Sequence, residues 1–186
     1  MFLFCCLPAI AYVFTGCCQH RAEPATSANK PEPENRMTAK TYHSGFQEAH
    51  DSYNGISVAS DGKVYYILCT QSLDIAGRMY SFDPSTEKIK FLGDLTEACG
   101  EKGMNAVAQG KSHVNFIESK GKLYFATHVG YYQNIDGNVA IGTPPEGYKP
   151  YQGGHILSYD LKTGEFSDLG KEPHREGILT MNMDTI

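Results

Sequence analysis

"GRMYSFDPSTEKIKFLGDL" (Gly77–Leu95) returns as "GHILSYDLKTGEFSDLGKE" (Gly154–Glu172), displaced by 154 − 77 = 77 residues. At that displacement Gly77, Ser81, Asp83, Thr86, Leu92 and Gly93 meet Gly154, Ser158, Asp160, Thr163, Leu169 and Gly170. A fixed internal period marks a structural unit used more than once. A second echo precedes it: "SDGKVYY" (Ser60–Tyr66) matches "SKGKLYF" (Ser119–Phe125) at a displacement of 59. With "GISVAS" and "HVNFIES" placed before each Gly-Lys, every copy reads as four antiparallel strands. Turn residues sit at the joints: Asp61-Gly62 and Lys120-Gly121, then Pro84-Ser85 and Lys162-Thr163-Gly164.

The two displacements differ by 77 − 59 = 18 residues. The second copy therefore carries an insertion between its second and third strands, within "VGYYQNIDGNVAIGTPPEGYKPYQGG" (Val129–Gly154). "EGILTMNMD" (Glu176–Asp184) opens a third copy, which stops at Ile186 before its Gly-Lys.

Four short strands per repeat is the pattern of a propeller blade. "GGHILSYDLKTGEF" resembles a kelch repeat, with its Gly-Gly pair, Tyr159-Asp160 and Thr163, although Phe166 stands where Trp is usual. No Trp-Asp pair of the WD40 type occurs. From "HDSYNGISVASDGKVYY" onward the chain resembles uncharacterised kelch-like propeller lipoproteins of bacteria, a likeness that implies a fold and an address but no activity. The expected fold is all-β: a propeller fragment over residues 41–186, with blades at about 50–95 and 110–172 and a third starting near 174. Two blades and a stump cannot close a ring, so a fragment of a longer protein is expected.

The N-terminus "MFLFCCLPAIAYVFTGCCQH" is apolar from Met1 to Phe14, too short to span a bilayer but matching a secretory signal core. Phe14-Thr15-Gly16-Cys17 resembles a bacterial lipobox, with Phe14 where Leu is usual and no Lys or Arg ahead of the apolar run. That likeness makes residues 1–17 a signal peptide and Cys17 the lipidated residue. It implies an exported protein: an outer-membrane lipoprotein, or one that is periplasmic or at the cell surface. Residues 18–40 are polar and Pro-rich with no apolar period, as in a disordered tether. A membrane partner is expected only through the lipid. Cys69 and Cys99 remain in the body, and an exported protein could either join them or leave two buried thiols.

The apolar fraction of 41% and charged fraction of 20% fit a folded soluble domain. A net charge of −5 with no Lys/Arg stripe argues against a nucleic-acid partner. Nineteen Gly and twelve Tyr suit aromatic strands joined by tight turns.

Ligands of propellers sit at a mouth of the central channel, which the first strand of each blade lines. His50, His113 and His174 lie at or before three successive first strands and are candidates for a divalent metal, although their spacing matches no metal motif. His128 closes a second strand and His155 opens a third. Together with His113 and Lys111 they are expected at one rim, beneath the insertion's Tyr131, Tyr132 and Tyr151. Aromatic rings with hydroxyl handles suit a sugar ring, and packing on the neighbouring blade is the plainer use of the same tyrosines. Gly110-Lys111-Ser112 is no phosphate loop, because Asn105 stands where the motif needs glycine. "NIDGN" lacks the carboxylates of a calcium loop and reads as a tight turn. Neither cysteine has a nucleophile's setting. Two functions stay open. One is a binding or scaffold propeller for a glycan or partner protein. The other is a carbohydrate lyase or hydrolase with a His-lined mouth, because propeller-fold oligogalacturonate lyases hold a metal through His.

Overall fold

The computed structural model describes residues 37–184, so the signal, Cys17 and most of the tether lie outside the described residues. All the strands among the described residues belong to the unit that runs from Lys40 onward. It is all-β. Strands β1 (Ile56–Val58), β2 (Val64–Leu68), β3 (Arg78–Asp83) and β4 (Lys88–Asp94) form one antiparallel sheet in sequential order. Strands β5 (Ile117–Ser119), β6 (Lys122–Ala126), β9 (His155–Asp160) and β10 (Phe166–Lys171) form a second. Between β6 and β9, where the sequence places its insertion, β7 (Tyr132–Ile135) and β8 (Asn138–Ile141) make a separate hairpin.

Local chemistry explains the joints. Asp136 (φ 52°) and Gly137 (φ 83°) both take left-handed backbone, as a two-residue hairpin turn requires. Asp83 Oδ1 accepts from the Ser85 amide (2.9 Å), and Asp160 Oδ1 from the amides of Lys162 and Thr163 (2.9 and 3.0 Å). These two aspartates close the last turn of each sheet. The strand pattern gives no hint of one element, the short helix α1 (Leu95–Ala98). Its signal lies in Asp94-Leu95-Thr96-Glu97: Asp94 caps the helix by accepting from Glu97 N (3.1 Å), and Gly100 leaves it at φ 68°.

The two four-stranded sheets repeat one another down to a defect. Met79 pairs with Gly93 and Tyr80 with Phe91, leaving Leu92 bulged; Ile156 pairs with Gly170 and Leu157 with Asp168, leaving Leu169 bulged. All these positions correspond at 77. Yet equivalent residues do not face the same way. Met79 is fully buried between the sheets, whereas its counterpart Ile156 is 38% exposed. Leu157 is fully buried there, whereas its counterpart Tyr80 stacks with Tyr66 and meets Phe91 edge-on on the far face of the first sheet. The core is thus one face of the first sheet (Tyr65, Ile67, Met79) against the opposite face of the second (Leu123, Phe125, Leu157, Tyr159).

Matching edges also lie together. Ser60, after β1, donates to the Glu118 carboxylate of β5. A Cβ on Gly93 of β4 would sit 2.6 Å from the Phe166 ring of β10. The sheets therefore stack like successive copies rather than as mirror-related layers. Phe125, fully buried at this junction, would cost about 3–5 kcal/mol if cut to Ala. The far face of the first sheet is partly covered by the preceding segment, where Phe46 is buried under the Arg78 guanidinium (4.1 Å) and Tyr42 meets Phe82 (4.6 Å). Among the described residues no helix is long and apolar enough to cross a membrane.

Candidate functional site

Two segments with the same middle residue build the site. Asp51-Ser52-Tyr53 runs beside the end of β2 through a bridge to Cys69, and Lys111-Ser112-His113 runs beside the end of β6 through a bridge to His128. Beneath the β7–β8 hairpin they frame a hollow of about 400 Å³, lined by Tyr53, Gln71, Lys111, His113, Tyr132, Gln133, Asn134 and Val139. That size suits a small ligand.

Lys111 is the unusual member, with only 2% of its surface exposed. Lysine is rarely so buried unless paired. Its Nζ donates to the Tyr53 hydroxyl (3.0 Å) and lies 3.5 Å from Asp51 Oδ2. It also sits 4.6 Å from the Tyr53 ring centre and 5.3 Å from that of Tyr132, within cation–π range. Burial opposes the charge, but the Tyr53 hydroxyl and the Asp51 carboxylate outweigh it and hold the Lys111 pKa above its usual value. A protonated ammonium donates hydrogen bonds and is no nucleophile.

His113 stacks on Tyr53 (4.2 Å) and meets the His128 ring at 4.5 Å. Burial first, then the neighbouring His128 and Lys111, pull its pKa down to about 4. Burial and Lys111 also lower that of His128, against the hydrogen bond between its Nδ1 and the Val129 carbonyl. Both imidazoles are therefore held toward the neutral form. Three buried side-chain atoms lack any partner among the described residues: Asp51 Oδ1, Ser112 Oγ and His113 Nε2. All three belong to the two segments around Lys111. Each such atom costs about 1–3 kcal/mol unless water or a ligand satisfies it.

His155 starts at the same strand end, its carbonyl accepting from the Thr127 amide (2.9 Å), but the His155 ring does not line the hollow. Its Nδ1 lies 2.8 Å from Asp168 Oδ2 and its Nε2 3.1 Å from Glu101 Oε1, deep beside the second sheet. Burial works against its charge, and the two carboxylates override that and raise its pKa. Tyr151 joins the same cluster: its hydroxyl donates to Gln109 Oε1 (2.8 Å), as does Thr127 Oγ1 (2.7 Å). Gln109 Nε2 in turn donates to Glu101 Oε2 and the Gly153 carbonyl, both at 2.9 Å. Of the insertion's tyrosines, Tyr132 overhangs Lys111, while Tyr131 packs against Gly142, where a Cβ would lie 2.4 Å from its ring.

The metal expectation meets a different arrangement. His50 Nδ1 lies 2.6 Å from Asp51 Oδ2, and His174 sits exposed after β10 with its amide bonded to Glu172. Among the described residues no group of three or more His, Cys, Asp or Glu could hold a metal ion. Cys69 and Cys99 are free and buried, and burial raises both thiol pKa values, that of Cys69 to about 11. A second hollow of about 310 Å³ includes Asp94, Glu97 and Glu101, but those carboxylates already serve the helix cap, Lys102 and the His155 cluster.

Residue type alone did not single out Asp51, Tyr53, Gln71 and Asn134. The x-Ser-aromatic echo between Asp51–Tyr53 and Lys111–His113 is the signal that could have found the first two. No protein-family model and no curated protein matches the chain.

Proposed function

We propose that the chain is an exported binding module of the β-propeller class whose ligand seat is the Lys111 hollow, and that the ligand is a saccharide. The stacking of opposite faces of two equivalent sheets, matching edge to matching edge, supports the propeller reading, because successive blades meet that way around a ring. After each sheet the chain also returns to the same place: Gly77 N donates to the Gln109 carbonyl (3.0 Å) and Gly154 N to that of Glu176 (2.8 Å). Glu176 thus opens a further repeat. The Phe14–Cys17 motif supports export and lipidation at Cys17.

The observation that carries the ligand reading is a buried ammonium framed by Tyr53 and Tyr132 in an open hollow, whose lining also holds His113 with its Nε2 unpartnered among the described residues. Aromatic faces take the C–H side of a sugar, and donors and acceptors take its hydroxyls. An oligosaccharide array probed with the wild type and with Tyr132→Ala tests this. Binding lost in the variant supports the reading, and a blank array defeats it. Shortened or unsaturated products would favour the lyase or hydrolase reading instead. A protein partner is the second reading, favoured by Ile135, Val139 and Ile141, which are 45%, 76% and 49% exposed on the hairpin. Palmitate labelling of the full chain, lost in Cys17→Ser, tests the anchor.

A further inference from the structure

We infer that the hollow selects a neutral saccharide ring over an acidic one, with Lys111 donating to a ring hydroxyl and Asp51 acting as the counter-charge that removes the attraction for a carboxylate. This rests on the saccharide reading and adds the class of sugar.

Among the eight lining residues Lys111 carries the only formal charge, because His113 is neutral at pH 7. That charge is already matched by Asp51, 3.5 Å behind it. The Lys111 ammonium has three N–H donors, and Tyr53 takes one at 3.0 Å. A uronate entering the hollow would lose its hydration and meet an ion pair rather than a bare cation. Its Coulomb gain would be small and its desolvation cost large.

The remaining polar groups suit hydroxyls. The Gln71 and Asn134 amides are exposed and make no side-chain hydrogen bond among the described residues, and each offers both donors and an acceptor. His113 Nε2 is unpartnered among the described residues, and a neutral imidazole nitrogen can donate or accept according to its tautomer. A sugar hydroxyl can both give and take a hydrogen bond, whereas a carboxylate only takes. The stacked Tyr53–His113 pair and the Tyr132 ring supply apolar walls for the ring's C–H face.

The test uses the full chain in detergent at pH 7. Titration calorimetry and saturation-transfer NMR would compare the methyl glycosides of glucose and galactose with those of glucuronate and galacturonate. At least one neutral glycoside should bind about tenfold or more tighter than its acidic twin, roughly 1.4 kcal/mol. Asp51→Asn should shrink that gap by raising affinity for the acidic sugar. Asn134→Lys, on the exposed hairpin where folding is not at risk, should shift preference the same way by adding an unmatched cation. Equal or tighter uronate binding by the wild type overturns the inference while leaving the saccharide reading intact. An unchanged ratio in a folded Asp51→Asn variant removes Asp51 from the selector role and overturns it as well. Silence from all four glycosides, together with a blank array, defeats the saccharide reading and this inference with it.

Discussion

Thr127 and His128 are neighbours at the end of β6, and the pleat sends them into two polar clusters of opposite character. Thr127 enters the cluster of Gln109, Glu101, His155, Asp168 and Tyr151, where Gln109 bonds through both ends of its amide. His128 enters the cluster of His113, Lys111, Asp51, Tyr53 and Ser112, where three atoms have no partner among the described residues. The first is what a polar network looks like when it holds a fold together. The second leaves three polar atoms without partners among the described residues, and one of them, His113 Nε2, belongs to a residue that lines an open hollow. A fully bonded network stabilises, and an under-bonded one costs stability that only a ligand or water recovers. This difference favours Lys111 over His155 as the seat of function, though both residues are ionisable and buried.

The largest effect should come from breaking the satisfied cluster. Gln109 is fully buried, and Gln109→Ala would leave Glu101, Thr127 and Tyr151 without their shared partner. A loss of about 3–5 kcal/mol is expected in chemical denaturation. Binding to any positive array hit, measured below the unfolding transition, should not change. A loss under about 1 kcal/mol would mean the network does not clamp the fold.

Lys111→Met should do the reverse. Methionine keeps the side chain's volume, and Asp51 retains His50 at 2.6 Å, so stability should move by no more than about 1–2 kcal/mol in either direction. Binding to a positive array hit should fall by about tenfold or more. Retained binding would remove the ammonium from the site.

The histidines of the two clusters should report opposite pH dependences. The folded pKa of His113 lies near 4, below its ordinary value of 6.5. The unfolded chain then binds more protons between those limits, so stability rises with pH across about 4–6.5. Lys111, His128, Asp51 and Tyr53 are the groups facing it. His155 is shifted upward, so its contribution is complete below pH 6.5 and fades as pH climbs through the folded value. Denaturation curves of His113→Gln should flatten the acid side by roughly 1 kcal/mol, discounted for partial exposure, and His155→Gln should flatten the alkaline side. Two variants flattening the same side would break the contrast.

Much of the fold was legible because a repeat reports itself. The paired displacements of 77 and 59 located both sheets, their turns and the insertion. The repeat could not reveal which face each copy turns inward. Met79 and Ile156 are both apolar and aligned, yet one is in the core and the other half out, because successive copies use opposite faces. The site was half legible for a related reason. Strand-end logic placed His113 and His128 together, and they meet at 4.5 Å. It also placed His155 with them, but the Glu101 carboxylate, from the loop after α1, reaches His155 from 54 residues away in sequence and claims it. No local pattern encodes a bond of that span.

The smallest effect belongs to a residue outside both clusters. Asp160 accepts from the amides of Lys162 and Thr163, and those hydrogen bonds, led by Thr163, hold its carboxyl below the usual range. Its counterpart Asp83 does the same with the Ser85 hydroxyl and amide. Both turns sit at the surface, where water can replace a lost carboxylate, and both backbones are already constrained by their strands. Asp160→Ala should therefore lower the melting temperature by only about 1–3 °C. Binding to any positive array hit should stay as in the wild type, since the turn shares no residue with the hollow. The alkaline limb owed to His155 should also survive, because His155 sits at the other end of β9. If Asp160→Ala instead weakened binding while leaving melting untouched, that turn would be a contact surface, and the division between structural and ligand-facing polar groups would need redrawing.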